Sequence, residues 1–187
     1  MKSWKTSQQE FNERQGSYNN LLIVDGLNLA FRWKHNTRKP FAADFVRTIQ
    51  SLAQSYGARQ VIVVTDKGKS IFRREIFPEY KANREEKFAN QTEEEKEDNR
   101  IFFEYYKDAL DLCITTFPTF FKQGVEADDL AGVIVKVALA EDNFDTIWLA
   151  STDGDWDTLL VPGRVKRFSY KTRREYSTDT LYNRGIS

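Results

Sequence analysis

The sequence predicts an α/β fold in which helices flank a central, mostly parallel sheet. Two observations carry this prediction: short apolar runs that suit buried strands alternate with helically periodic segments, and three of the runs end in aspartate. The 187 residues are 40% hydrophobic, enough for one domain with a sizeable core. We expect residues 1–20 to be a polar lead-in and residues 21–187 to form this single domain.

The first half of the chain contains two such strands with a helix between them. The run "LLIVDG" at residues 21–26 is continuous and apolar, as in strands that are buried on both faces of a parallel sheet. Residues 41–57 carry apolar side chains at steps of three and four and end in glycine, which is typical of an amphipathic helix. "QVIVVTD" at residues 60–66 predicts the second strand.

The C-terminal part continues the alternation after an irregular connection. Residues 67–100 are highly charged and weakly periodic, and connections this long usually have a function. Residues 125–141 predict a helix whose apolar stripe consists of Leu130, Val133, Ile134, Val137 and Ala138. "TIWLASTD" at residues 146–153 predicts the third strand, and "VKRFSY" at residues 165–170 predicts a fourth.

Acidic side chains gather at the ends of these elements. Asp25, Asp66 and Asp153 end the three apolar strands, and ligands of parallel sheets bind beyond the carboxyl ends of the strands. With the acids of "GVEADD" and "DGDWD", the candidate metal ligands are Asp25, Asp66, Glu126, Asp128, Asp129, Asp153 and Asp155. So many carboxylates repel one another unless cations are present, and oxygen ligands favour magnesium or manganese over zinc. Two such ions can clamp the attacking and leaving oxygens of a phosphoryl displacement.

Each acidic segment also has an ordinary explanation on its own. Acids in a first helical turn interact favourably with the helix dipole, and Asp-Gly is common turn chemistry. A calcium loop starting at Asp153 would need glycine and glutamate where Thr158 and Arg164 stand. The combination of acids at three strand ends is what favours a metal site. Asp157 lies past Trp156, and we expect both of these residues to be structural.

The composition argues against several other classes of protein. Lysine plus arginine and aspartate plus glutamate number 28 each, so a strongly basic, duplex-coating protein is not indicated. The single cysteine, Cys113, excludes an internal disulfide, and the single histidine, His35, disfavours a zinc site or a catalytic triad. The polar N-terminal segment resembles neither a signal peptide nor a membrane span, so we expect a cytoplasmic protein with no membrane partner.

Basic side chains cluster near the acidic segments, in residues 32–39, 67–74 and 164–174. Such clusters hold phosphates while metal ions perform the chemistry, which favours a nucleic-acid substrate. In "PEYKANREEK", Tyr80 can stack on an unpaired base and Lys81 can reach a phosphate oxygen.

The chain resembles the 5′ nucleases of the flap-endonuclease superfamily in four segments: "IVDGLNLAFR", "TDKGKSIFRREIFPEYKANR", "GVEADDLA" and "ASTDGDWDTLL". It is most similar to the phage-type flap endonucleases and 5′–3′ exonucleases, from about residue 21 to residue 176. The resemblance implies a PIN-like fold and magnesium-dependent phosphodiester hydrolysis, with manganese able to substitute. It implies as substrate DNA with a 5′ flap or a free single-stranded 5′ end, and a helical arch at about residues 67–105 through which that strand passes.

The resemblance also implies roles for individual residues. The seven acids named above would hold up to two ions, with Asp153 and Asp155 central to catalysis. Lys81 matches a lysine at the base of the arch that contacts the scissile phosphate, and Arg84 matches an arginine of the arch; both are implied to be catalytic. The residues that the resemblance implies to bind DNA are Arg32, Tyr80, Lys81 and Arg84, and the basic cluster at residues 67–74 adds Lys67, Lys69 and Arg73 as DNA-binding candidates.

The C-terminal end departs from the pattern of the family. Its members continue into a helix-hairpin region that grips the duplex and adds aspartates to the second metal, whereas this sequence ends at Ser187 without a "GDxxGD"-like element. We therefore expect a weaker second metal site and low intrinsic activity, raised by manganese or by a missing C-terminal segment or partner chain. For a phage-encoded protein, the expected location is the host cytoplasm.

Two alternatives to a DNA nuclease remain open from the sequence. One is a module that binds branched DNA without cutting it, and the other is a PIN-type ribonuclease that uses the same acids. The long segment at residues 67–100 disfavours the ribonuclease, because small ribonucleases of that class need no such insertion.

Overall fold

The structure, a computed structural model, describes residues 19–35, 39–66 and 91–182, with only the backbone of Tyr182. Its sheet consists of six strands: β1 (Asn20–Asp25), β2 (Ala58–Val64), β3 (Thr119–Phe120), β4 (Ile147–Ala150), β5 (Val165–Ser169) and β6 (Arg174–Tyr176). Their order across the sheet is β3-β2-β1-β4-β5-β6. Every neighbouring pair runs parallel except β5 and β6. The predicted mostly parallel sheet is therefore confirmed.

Helices pack on both faces of this sheet. The described α-helices are α1 (Gly26–Ala30), α2 (Ala42–Ser55), α3 (Glu93–Thr116), α4 (Ala127–Glu141) and α5 (Thr178–Tyr182), and the 3-10 helices are Phe31–Trp33 and Gly154–Leu159. The helices predicted at residues 41–57 and 125–141 correspond to α2 and α4. The short elements α1, β3 and β6 were not predicted. Residues 93–105 of the predicted arch form the first half of α3, whose N-terminus is closed by reciprocal hydrogen bonds between Thr92 and Glu95.

Strand β1 lies at the centre of the sheet because both of its faces are apolar. All six of its residues are buried, in agreement with the continuous run in the sequence. Val24 belongs to the core cluster shared with α2 and α3, and Ile23 belongs to the cluster shared with α4. Val24 also pairs with Val63 of β2 and with Ala150 of β4. This register aligns the carboxyl ends of the three strands at one edge of the sheet.

The buried face of α4 differs from the predicted stripe. Val133 and Val137 are 63% and 50% exposed. Of the other predicted positions, Ala138 is buried, and Leu130 and Ile134 are partly buried against the core. The buried residues of α4 are Ala127, Ala131, Val135 and Ala138. The helix is apolar on several faces, and its small alanine side chains allow close approach to the sheet, so hydrophobicity alone predicted the face only in part.

Gly26, the first residue of α1, is packed too closely for a side chain. A Cβ at this position would lie 3.1 Å from Cγ1 of Val63, 3.2 Å from the hydroxyl of Tyr106 and 3.3 Å from the carbonyl oxygen of Val64. Glycine therefore allows α1 and α3 to meet the end of β2. This contact fixes the position of Asp25, which directly precedes Gly26 at the edge of the sheet.

Several predicted features lie outside the described residues. They are the lead-in up to residue 18, the part of the predicted arch at residues 67–90, and the side chains Lys67, Lys69, Arg73, Tyr80, Lys81 and Arg84. Among the helices that the structure describes, none is both long and apolar enough to cross a membrane.

Candidate active site

Carboxylates from four separate segments surround one cavity at the carboxyl ends of β1, β2 and β4. The cavity has a volume of about 310 Å³, and the acids that line it are Asp25, Asp66, Glu126, Asp128, Asp153 and Asp155. These are six of the seven candidate ligands proposed from the sequence. Asp129 is exposed near the start of α4 and is not among the residues that line the cavity.

Asp25 is the most buried of the aspartates around the cavity, with 7% of its surface exposed. Its Oδ1 accepts the backbone N–H of Asn28 at 3.2 Å, which caps α1, and its Oδ2 accepts the hydroxyl of Ser151 at 3.0 Å. Burial raises the pKa of Asp25 from 3.8 to about 7. The two hydrogen bonds oppose this rise, whereas the nearby carboxylates of Asp66 and Asp153 add to it. A buried carboxyl in this state would be ionised fully by a neighbouring cation.

Asp66 connects the end of β2 to the start of α4. Its Oδ1 accepts the backbone N–H of Ala127 at 2.6 Å, and Ala127 is the first residue of that helix. Glu126, directly before it, is the N-cap residue and is only 8% exposed. This hydrogen bond therefore brings the acids of the "EADD" segment to the same rim as Asp25, although they are distant in sequence.

The end of β4 supplies two further carboxylates through a tight turn. The hydroxyl of Ser151 accepts the backbone N–H of Asp153 at 3.1 Å while donating to Asp25. Asp153 then caps the 3-10 helix at residues 154–159 by accepting the backbone N–H of Asp155 at 3.0 Å. Ser151 is thus a fixed bridge between the ends of two neighbouring strands, and it sets where Asp153 enters the cavity.

Asp157 and Trp156 have structural positions, as expected from the sequence. The carboxylate of Asp157 is paired with Arg167, and the indole of Trp156 is 2% exposed in the core cluster beneath α4. The "DGDWD" segment therefore divides into acids that line the cavity and an acid that anchors the turn.

The donor set fits a hard divalent cation by its chemistry. All six acids offer oxygen, the donor that magnesium and manganese prefer. A cation would offset the burial and the weaker repulsion by Asp66 and Asp153 that raise the pKa of Asp25. Among the described residues, no three acidic, histidine or cysteine side chains converge closely enough to form a finished ligand set. The carboxylates are spread around the wall of the cavity.

A second cavity, of about 490 Å³, has a basic lining, and one of its lining residues, Tyr170, is hydrogen-bonded to Asn28 of the first cavity. Arg32, Arg47 and Arg173 line it together with one acid, Asp44, which is paired with Arg47 at 3.0 Å. Arg32, predicted to contact phosphate, lines this basic cavity and not the acidic one. Its guanidinium lies 5.6 Å from the ring centre of Trp33 and 5.8 Å from that of Tyr170. Three cationic groups from separate segments therefore face one surface depression.

Some residues at these sites were not predicted from the sequence. Asn28 lines the acidic cavity, and Ser151 and Thr152 fix its rim. Their positions in the sequence could have indicated them, because Asn28 follows the candidate ligand Asp25 by three positions and the hydroxyl pair directly precedes the candidate ligand Asp153. Arg47 gave no such signal, since an arginine on an amphipathic helix is ordinarily part of a solvated face.

Comparison with protein families and curated sequences gives consistent matches. The family model described as "5'-3' exonuclease, N-terminal resolvase-like domain" matches residues 20–184. The flap endonuclease of Escherichia phage T5 is 58% identical over 182 residues, which are 97% of this chain and 62% of that protein. DNA polymerase I of Synechocystis sp. is 25% identical over 177 residues, which are 87% of this chain and 17% of the polymerase.

Solved structures give the same result at the level of the fold. The T5 flap endonuclease in a pseudo-enzyme-product complex with DNA and metal ions superimposes with a TM-score of 0.83 and 60% identity, covering 88% of this chain and 60% of that one. The T5 5′-exonuclease with bound zinc superimposes with a TM-score of 0.82 and 61% identity, at the same two coverages. The chain therefore spans about three-fifths of the length of these T5 relatives.

Proposed function

Because the chain belongs to the family of N-terminal, resolvase-like domains of 5′–3′ exonucleases, we propose that it hydrolyses phosphodiester bonds in DNA with a free 5′ single strand. In this proposal it acts as a flap endonuclease and 5′–3′ exonuclease. The observation that carries it is the cavity lined by six carboxylates from four segments. The T5 relative, which is similar over 97% of this chain, is named a flap endonuclease and has been solved with DNA and metal ions.

The proposed cofactor is magnesium, for which manganese can substitute. The acids that line the cavity would hold up to two ions: Asp25, Asp66, Glu126, Asp128, Asp153 and Asp155. Asp129 is exposed outside the cavity lining, and its role as a further ligand stays a proposal that rests on the sequence motif. Ions bound there supply Lewis-acid polarisation of the phosphodiester. The carboxylates themselves fix where the phosphate can sit, because each is attached to the rigid end of a strand or helix.

The proposed binding of the DNA backbone uses cations beside the acidic cavity. The three arginines of the basic cavity would hold phosphates of the strand that leads to the active site. The roles of Lys81 and Arg84 at the scissile phosphate, of Tyr80 against a base, and of the segment around residues 67–105 as an arch are proposals that rest on the sequence motifs. The remaining proposed DNA contacts are Lys67, Lys69 and Arg73.

The direct test is cleavage of a 5′-labelled flap DNA in magnesium or manganese. We expect the wild-type chain to release a short labelled product and Asp153→Asn to lose at least 100-fold in rate, on the order of what one electrostatic catalytic group contributes. Asp108→Asn is the matched control, since it removes an equivalent charge at an exposed position of α3 outside the cavity lining, and it should keep the wild-type rate. Equal product from wild type and Asp153→Asn would reject the proposal.

A second function, binding without cleavage, is favoured by the basic cavity alone. It predicts robust flap binding in EDTA and no product with any divalent ion. Binding that weakens steeply with salt would show that phosphate contacts dominate. This outcome would leave the arginine cavity as the functional site and the carboxylates as a structural feature.

A further inference from the structure

The side-chain oxygen of Asn28 accepts hydrogen bonds from three donors at the rim of the acidic cavity. The backbone N–H of Thr152 donates to Oδ1 at 2.9 Å, and the Thr152 hydroxyl donates to the same atom at 3.0 Å. The third donor is the hydroxyl of Tyr170. These contacts join α1 to the chain that follows β4 and β5, and they hold the carboxamide from one side.

The identity of the two ends of this carboxamide follows from the chemistry of its donors. A backbone N–H can only donate, so the atom that faces the N–H of Thr152 must be the oxygen. Burial raises the pKa of Tyr170, so its hydroxyl stays protonated and also donates. The Nδ2 group of Asn28 must therefore point away from Thr152 and Tyr170.

Nδ2 is left available to a ligand. Among the described residues, nothing accepts a hydrogen bond from it, and no buried side-chain nitrogen or oxygen of the described residues lacks a partner. Nδ2 is accordingly accessible rather than buried. Asn28 lines the acidic cavity together with the six carboxylates. The other lining side chain with a polar hydrogen is Trp156, which is 2% exposed.

We propose that Asn28 binds the substrate, with Nδ2 donating to a non-bridging oxygen of the scissile phosphodiester. This rests on the proposed nuclease function. With cations bound, the carboxylates that line this cavity only accept hydrogen bonds, so Asn28 offers a phosphate a neutral donor at a fixed position, in addition to the proposed contacts of Lys81 and Arg84. Thr152 and Tyr170 act through Asn28 and are positioning residues, because they orient the amide before the substrate arrives.

The alternative is that Asn28 has only a structural role, as a cap whose oxygen accepts the hydrogen bonds of Thr152 and Tyr170. The two roles separate in Asn28→Asp, which keeps the shape and the accepting oxygen but has no NH₂. A structural cap predicts that this variant cleaves and unfolds like the wild type. Substrate binding predicts a loss of about 10- to 100-fold in the single-turnover rate, typical of a hydrogen bond to a charged group. Asn143→Asp, at an exposed position far from the cavity, is the matched control and should have no effect.

Because Asn28→Asp also adds a charge, the decisive measurement is a ratio. Flap DNA is prepared with a single Rp or Sp phosphorothioate at the scissile position, and both diastereomers are cleaved by each variant. A general charge effect slows both equally, whereas loss of the Nδ2 contact changes the ratio of the two rates. We expect that ratio to differ between wild type and Asn28→Asp by roughly 10-fold, and by a smaller factor in Tyr170→Phe, which loosens the amide. An identical ratio in all three proteins would overturn the proposal.

A readout independent of cleavage uses the side-chain amide itself. In ¹⁵N-labelled protein, the NH₂ signals of Asn28 are identified by their absence in Asn28→Asp, and flap DNA is added in calcium. We expect these signals to shift as the DNA saturates the protein. If other signals shift and those of Asn28 do not, the Asn28 contact is wrong while the proposed function stands. If no signal shifts and wild type cleaves no flap, the proposed function fails, and the contact fails with it.

Discussion

Arg167 donates a hydrogen bond to each carboxylate oxygen of Asp157, at 2.6 Å from Nε to Oδ1 and 2.8 Å from Nη2 to Oδ2. Its third nitrogen, Nη1, donates to the backbone carbonyl of Ser151 at 3.0 Å, and the arginine as a whole is 3% exposed. The pair therefore anchors the 3-10 helix that carries Asp155 to β5, directly beneath the rim of the acidic cavity.

Removal of the Asp157 carboxylate should destabilise the chain strongly. Asp157→Ala leaves the Arg167 guanidinium buried without its counter-charge, and such losses cost about 3–5 kcal/mol. Urea unfolding measures the change. The control is Asp111→Ala, which breaks the exposed pair between Lys107 and Asp111 and should cost less than about 1 kcal/mol. Equal losses in the two variants would contradict the role assigned to the buried pair.

The stability of the metal-free chain should fall as the pH rises toward and above 7. The pKa of Asp25 is about 7 in the folded chain against 3.8 as the ordinary value, so the folded chain keeps a proton that the unfolded chain has released. The contribution of this proton to the free energy of unfolding is fully present below about pH 4. Roughly 4 kcal/mol of it is lost as the pH rises through 7. Urea unfolding in EDTA at pH 5 and pH 8 measures it. In Asp25→Asn, which cannot ionise, the unfolding free energy should lose this dependence on pH. If the variant keeps the wild-type dependence on pH, the raised pKa of Asp25 is not its cause.

Divalent cations should bind more tightly at pH 8 than at pH 6. At the lower pH, the proton on Asp25 competes with the cation for the same oxygens, and binding must release it. The rise in unfolding temperature with added manganese is the measurement. We expect a larger rise at pH 8 in wild type and a small rise at both values in Asp155→Asn. A rise that is independent of pH would show that Asp25 is not among the ligands.

A methyl group at Gly26 should disturb the contact between α1, α3 and β2. In Gly26→Ala the new carbon would lie 3.1–3.3 Å from three atoms, including the Val64 carbonyl oxygen, which cannot move as a flexible side chain can. Such overpacking costs about 1–3 kcal/mol of unfolding free energy. Gly154→Ala is the matched control, because a Cβ there meets nothing within 4 Å. Equal stability of the two variants would refute the packing argument.

Replacement of Arg173 by glycine should raise the stability of the chain and weaken its binding to flap DNA. Its φ of 54° lies in the left-handed region that glycine adopts without strain, and it lines the basic cavity. Arg173→Gly is therefore expected to stabilise the chain by up to about 1 kcal/mol. The same change should weaken flap binding and reduce the slope of log K against log salt by about one phosphate contact. A variant that is more stable and binds equally well would remove Arg173 from the proposed DNA contacts.

The fold and most of the acidic cavity could be predicted because their signals are local. A strand that is buried on both faces must be a continuous apolar run, and an aspartate that ends it must lie at the sheet edge. The correct grouping of Asp25, Asp66 and Asp153 followed from that geometry alone.

Other features depend on tertiary contacts that leave no local pattern. Helix α4 is apolar on several faces, so the sequence did not reveal that Val133 and Val137 are exposed. The orientation of Asn28 depends on donors 124 and 142 positions away in the chain. The basic cavity brings Arg47 and Arg173 together from α2 and from the turn before β6, a proximity that no spacing in the sequence indicates.

The strand order has a consequence for the order of events during synthesis. β1 and β2 are adjacent in the sheet and appear early in the chain, whereas β4, the other neighbour of β1, follows only after residue 146. A chain that has emerged as far as β3 has Asp25 and Asp66 but lacks Asp153, Asp155 and the Ser151 bridge. The carboxylates are therefore assembled when β4 docks along the open side of β1. A ribosome-bound or proteolysed fragment that ends before this strand carries four of the six acids that line the cavity and lacks Asp153 and Asp155.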